Sequence, residues 1–387
     1  HLTILSGDLN GDDEPNFTNY TENSYHVFYH PAALSLESSA VLDGFTISGG
    51  NANGISVPNG GGMYNNTSHL SLMDVTFSDN TATNNGGGMA SEWSNPSLTN
   101  ITFSGNSAKN GGGIYQYSSS PTLTHVTFSG NTAEYGGGMY NYSSSPSLTD
   151  VIFSDNTASI SGGGLYNWTV SNPILTDVAF FGNFALHTGG GMVNYISSPT
   201  LTDVRFSNNY TNGNGGGIYN MMNSTPSLIQ VTLTGNLADY GGGMYNDYCT
   251  PSLTKVTLTG NLANYGGGMY NNYSSPELLD STFSGNTAAI GGGMMNVEST
   301  TSLTNVTFSG NTAALGGGMM NVESTTILTN VTFSGNEATE SGGGMYNLES
   351  SSTLTNAILW GNTPNQIDND ISTTVVTYSD IQGGYSG

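Results

Sequence analysis

Basic side chains are almost missing from this sequence. Lys109, Arg205 and Lys255 are the only Lys or Arg among 387 residues, against 27 Asp and Glu, and the formal net charge is −24. Neutralising phosphates requires clustered cations, so nucleic acid is excluded as a partner. Anionic membrane surfaces are disfavoured for the same reason. Cysteine is reduced to Cys249, which rules out an intrachain disulfide. No apolar run approaches the roughly 20 residues of a helical span, so no membrane span is expected. Ten-residue helical patterns are lacking too, which excludes ankyrin and tetratricopeptide arrays. The abundance of Asn, Ser, Thr and Gly resembles disordered low-complexity sequence, but a strict period argues against disorder. His1 already lies in an apparent strand, so the sequence is expected to begin after processing or to be a fragment.

What the sequence does have is glycine in register. GGGMYN opens at Gly60 and recurs at Gly136, Gly241, Gly266 and Gly342, and close variants begin at Gly86, Gly111, Gly162, Gly189, Gly215, Gly291 and Gly316. Successive starts are 25 to 27 residues apart. A second motif keeps step: VTFSDN at Val75, ITFSGN at Ile101, VTFSGN at Val126, and so on to AILWGN at Ala357. Alternation with period two inside these short runs indicates strands. The fold class expected is all-β: a right-handed parallel β-helix, or solenoid, of about 12 rungs with a period of ~25 residues, plus terminal coils. Residues 1–41 are expected to form N-terminal coils or a cap, 42–362 the repeat body, and 363–387 a last coil. Strand-like runs at Leu2–Leu5 and Tyr25–Phe28 fit the first of these.

Within a rung, Leu72, Val75, Phe77 and Met63 are expected to point inward. An inward Asn recurs at Asn80, Asn106, Asn131, Asn156, Asn183, Asn209, Asn236, Asn261, Asn286, Asn311, Asn336 and Asn362, a candidate hydrogen-bonded ladder. The residue after the methionine is expected to face solvent. It would form a tyrosine stripe of Tyr64, Tyr115, Tyr140, Tyr166, Tyr219, Tyr245, Tyr270 and Tyr346, a candidate ligand or assembly surface. The triple glycine is expected to turn a corner where a Cβ would be in the way.

The paired motifs resemble known repeats. GGG[MIL] with F-S-x-N is similar to the GGA[ILV] and FxxN repeats of chlamydial polymorphic outer-membrane proteins. The match is nearer to bacterial secreted right-handed β-helix repeat proteins of pectate-lyase-like architecture, in which segments like Leu42–Ala52 (LDGFTISGGNA) and Ile358–Asn362 (ILWGN) bracket the repeats. The opening TILSGDLNGDD and the closing VTYSDIQGGYSG match that set as well. The third position carries Gly where the chlamydial motif has Ala, and the barrel that anchors those proteins has no counterpart here. The resemblance implies an extracellular or cell-surface location.

Three kinds of chemistry are open. Asp150, Asp177 and Asp203 follow Leu-Thr on successive rungs, and stacking would space them about 5 Å apart, near the separation of a retaining glycosidase pair. The same position carries Asn100, Asn305, Asn330 and Asn356 elsewhere, which reads as a generic polar turn. Calcium is a candidate ligand at Asp8, Asn10, Asp12 and Glu14, whose alternation suits oxygen ligation, or along Glu298, Glu323 and Glu349. No cofactor is required by the pattern. Rows of outward Thr and Ser, such as Thr76, Thr102 and Thr127, raise an ice-binding array as a third reading. Residues 291–315 and 316–340 are nearly identical, which favours length and surface over one catalytic centre. The expected function is therefore a non-enzymatic extracellular structural or adhesive element. Its partners would be copies of itself, assembled through its ends or its stripe into fibres, or cell-surface glycans. A polysaccharide hydrolase is the alternative.

Overall fold

One rung, residues 111–135, explains the rest. After Gly111-Gly112-Gly113 the chain extends as Ile114–Tyr117, turns at Ser118, extends as Thr122–Ser129, turns at Gly130, and extends again as Thr132–Tyr135. The corners are left-handed residues: Ser118 (φ 48°), His125 (φ 54°, bending the longer strand) and Gly130 (φ 62°). Such corners favour Gly, Asn and Asp, and the positions equivalent to His125 hold mostly Asn and Asp. Alternation puts Ile114, Leu123, Val126 and Phe128 inside, all at most 1% exposed.

The computed structural model describes residues 3–56 and 58–385 and divides the chain into two units, residues 1–199 and 200–387. Each is an all-β parallel solenoid. In unit 1 the strand Ile114–Tyr117 pairs in parallel with Met89–Glu92 and with Met139–Tyr142. Thr122–Ser129 pairs with Ser97–Ser104 and with Ser147–Ser154. Residues before the repeats join the same ladders: Thr3–Ser6 pairs with Phe45–Ser48, and Phe28–His30 with Met63–Asn65. Leu2, where the first strand was expected to start, and the final Ser386-Gly387 of the closing motif lie outside the described residues. In unit 2, Met244, Met269, Met294, Met319 and Met345 stand in register, and Ile367–Asp370 and Thr373–Thr377 continue the stack.

Exact register places like on like. Phe77, Phe103, Phe128, Phe153 and Phe180 stack in unit 1 with centroids 4.6–5.1 Å apart. Phe283, Phe308 and Phe333 do so in unit 2 at 4.7 Å. Rings packed this way gain dispersion and offset-stacking energy beyond their buried area.

The polar columns replace the hydrogen bonds that tight corners remove. Asn131 Oδ1 accepts from both the backbone N and Nδ2 of Asn106, at 3.0 Å each. Asn131 Nδ2 donates to Phe103 O and to Asn156 Oδ1, both at 2.9 Å. The pattern runs from Asn80 to Asn183 in unit 1 and from Asn209 to Asn362 in unit 2. A second ladder follows each glycine motif, running Asn141–Asn167–Asn194 in unit 1 and Asn220 through Asn369 in unit 2. A third uses serine: the backbone N of Ser94 donates to Ser119 Oγ and that of Ser119 to Ser144 Oγ. Cys249 occupies this serine column, buried, with its thiol pushed up to about 12 chiefly by desolvation. It is a packing residue rather than a nucleophile.

The second ladder is broken where its asparagines are replaced. Ser91 and Gln116 stand between Asn65 and Asn141, and Asn65 Nδ2, Ser91 Oγ, both amide atoms of Gln116 and Asn141 Oδ1 are buried without a partner. Unsatisfied buried polar groups cost about 1–3 kcal/mol each. Substituting Ser91→Asn and Gln116→Asn together is therefore expected to stabilise the protein by roughly 2 kcal/mol. A higher urea midpoint would show it, and a lower one would contradict it.

Candidate functional site

The tyrosine stripe is not the exposed surface that alternation suggests. Tyr140, Tyr166, Tyr219, Tyr245 and Tyr270 are 4–9% exposed, and Tyr64, Tyr115 and Tyr346 are half-buried. They lie on the outer side of their strands but fold down over the first glycine of their own triplet. A Cβ on Gly162 would stand 2.9 Å from Tyr166 Cβ and 3.1 Å from its Cδ2. The bridge before the glycines walls the other side: Tyr135 meets Tyr166 edge-on at 5.6 Å, and Tyr240 meets Tyr270 at 5.4 Å. Burial pushes the Tyr64 and Tyr270 phenols up to about 12, and raises those of Tyr115, Tyr140, Tyr219 and Tyr245. Residues covered in this way are stack-forming and offer little area to a partner.

The open aromatic row of unit 1 lies two residues further on, and sequence reading missed it. Tyr117, Tyr142, Trp168 and Tyr195 follow the inward Gln or Asn and stand in register on four successive rungs. Tyr117 and Tyr142 stack at 5.2 Å, and Trp168 and Tyr195 at 4.4 Å. Trp93, 51% exposed at the corner of the preceding rung, meets Tyr117 edge-on at 5.1 Å. All four in-register rings are half-buried, none of them fully covered, and the exposed Ser118 and Ser143 border them. The signal was present in IYQY, MYNY, LYNW and MVNY, in the last letter of each.

The acidic candidates occupy corners. Asp150 and Asp177 in unit 1, and Asp203 in unit 2, are exposed left-handed residues with φ of 52–56°. Asp150 Oδ2 lies 3.3 Å from His125 Nε2, and Asp203 accepts from Gln230 Nε2 at 2.8 Å. Glu298, Glu323 and Glu349 form a column at a different corner of unit 2, the one equivalent to Ser118, also exposed with φ of 45–49°, and Tyr273 donates its hydroxyl to Glu298. Corner geometry therefore accounts for both columns. At the other end of the sequence, carboxylate oxygens of Asp8, Asp12 and Glu22 come within 4.8 Å of one another. Of the other expected partners, Glu14 is outside this cluster and its backbone bridges to Thr18, while Asn10 gives its backbone N to Asp8. The Tyr20–Glu22 turn, which brings Glu22 back, carries no motif the sequence announces.

The outward hydroxyls run unbroken over five rungs in unit 2. Thr232, Thr257, Thr282, Thr307 and Thr332 form one row, and Thr234, Thr259, Ser284, Ser309 and Ser334 the next. The hydroxyls of Thr259 and Ser284 bond one another.

Residues 32–237, just over half of the chain, match the family model described as the right handed beta helix region. The chain belongs to that family. Membership agrees with the parallel coils of both units and gives the β-helix its right hand. No curated protein and no solved structure gives a match. No helix among the described residues is long and apolar enough to cross a membrane.

Proposed function

We propose that this β-helix is a non-enzymatic, extracellular adhesive element of a bacterial surface or matrix that holds glycans along the aromatic row of unit 1. The observation that carries the reading is the in-register row Tyr117, Tyr142, Trp168 and Tyr195, with Trp93 beside it. The C–H faces of a sugar ring complement the negative face of an aromatic ring, and Tyr and Trp add a polar tip that can hydrogen-bond. Parallel stacking repeats the rings every 4.7–4.9 Å or so, which suits a ligand that is itself a repeating chain. The strong negative charge favours neutral polysaccharides over acidic ones.

Affinity electrophoresis through gels containing soluble neutral polysaccharides tests this. The wild-type protein is expected to be retarded by at least one of them. Trp168→Ala, at a half-buried position on the outer side of its strand, is expected to weaken that binding about tenfold, near 1.4 kcal/mol, with an unchanged circular dichroism spectrum. Equal retardation of both proteins would remove the row from the account.

A further inference from the structure

We infer that Asp8, Asp12 and Glu22, with Asn23 behind them, form a calcium site that fastens the segment 8–23 onto the first coils of unit 1. Oxygen ligands at 2.3–2.6 Å from calcium stand at most about 5 Å apart across the ion, and the three carboxylates meet that limit at 4.8 Å. Acidic side chains alone would not establish a site. Asn23 is the independent observation. It is 7% exposed, and its Nδ2 is held by Asp13 Oδ2 at 2.9 Å and Gly49 O at 2.7 Å. The carboxamide oxygen shares a carbon with that nitrogen, so it lies beside the Asp13 carboxylate, and it has no donor. Asp13 Oδ1 and Glu22 Oε1 are likewise buried and without a partner. Three orphaned oxygens, all acceptors, on Asp13, Glu22 and Asn23 of this acidic segment ask for a cation, since a buried acceptor left bare costs about 1–3 kcal/mol.

The charge balance points the same way. The three basic side chains of the chain lie at 109, 205 and 255, none of them in this segment. The carboxylates of Asp8, Asp12 and Glu22, gathered within 4.8 Å, therefore have no cationic side chain of this segment among them, and a divalent ion relieves their mutual repulsion. The site also has a mechanical consequence. Tyr20, two residues before Glu22, donates its hydroxyl to Asp79 O at 3.1 Å and accepts Asn51 Nδ2 on its carbonyl at 2.6 Å. An ion joining Asp8 and Asp12 to Glu22 therefore closes the segment against the coil that carries Asn51 and Asp79. All-oxygen donors select calcium over softer metals.

Calorimetric titration of the chelator-treated full chain with calcium chloride tests the site. One site is expected, with Kd in the range of about 10⁻⁴–10⁻³ M typical of extracellular modules. Glu22→Gln is expected to weaken it at least tenfold, while Glu14→Gln leaves it unchanged. Calcium should also slow proteolysis between residues 8 and 23 in the wild type and not in Glu22→Gln. No binding at about ten times the upper end of that range, or equal binding by Glu22→Gln, overturns the proposal. Loss of binding in Glu14→Gln alone would also overturn it, because it assigns the ion to the linear loop.

Discussion

Gly112→Ala is expected to destabilise unit 1 by at least about 3 kcal/mol, although it adds a single methyl group. The new Cβ would stand 2.5 Å from Gly137 O and from Thr132 O, and 2.9 Å from Thr132 N. All three are backbone atoms, so no side chain can step aside. Relief requires separating one coil from the next or opening the rung on itself, and either motion breaks parallel hydrogen bonds. Gly130→Ala is the control. Gly130 has a positive φ, 62°, which Gly112 lacks, but nothing lies within 4 Å of the added carbon. Its cost should be the left-handed penalty alone, about 1–2 kcal/mol. Asp79 and Asp155 occupy the equivalent corner with φ of 54°, so Gly130→Asn should cost less still. Urea midpoints of the three variants provide the comparison. A loss for Gly112→Ala no larger than that for Gly130→Ala would mean that close backbone approach does not explain the middle glycine.

The second large effect is expected at Asn131. Its side chain closes a corner, links two neighbouring rungs and is fully buried. Asn131→Ala leaves the backbone N of Asn106 and the carbonyl of Phe103 without this partner. At about 1–3 kcal/mol for each orphaned group, the loss should be near 4 kcal/mol. Asn95, an exposed loop residue whose Oδ1 accepts from Ser120 N at 2.6 Å, offers the contrast. Asn95→Ala should cost under about 1 kcal/mol, since water can replace the bond. Comparable midpoints for the two variants would contradict the ladder as a stabilising element.

These two columns also show what was legible in the sequence. The 25-to-27-residue spacing and the period-two alternation led to the coil, the inward Leu, Val, Phe and Met, and the asparagine positions. Each depends on local chain geometry, which repeats faithfully. The tyrosines were misplaced because alternation reports only the side of the strand. Tyr166 is on the outer side, yet it is covered, because the missing Cβ of Gly162 opens a trough that Tyr135 walls. Covering of this kind arises between segments and leaves no periodic trace. Trp168 was legible in letters but overshadowed by the more regular tyrosines. Glu22 was invisible because a short irregular turn, not a spacing, carries it to Asp8 and Asp12. The acidic columns were open to two readings, a generic polar turn or a carboxylate pair, and the left-handed corner conformation of Asp150 and Asp177 fits the polar turn.

The measurement that bears most directly on the account compares two altered faces on one glycan array. One variant removes the aromatic row of unit 1, as Trp93→Ala, Tyr142→Ala and Trp168→Ala. The other disrupts the hydroxyl face of unit 2, as Thr257→Lys and Thr282→Lys. The account predicts that the wild type and the hydroxyl-face variant bind the same glycans and that the aromatic variant loses them. Binding that survives removal of the row, or a wild type that binds no glycan, would contradict it.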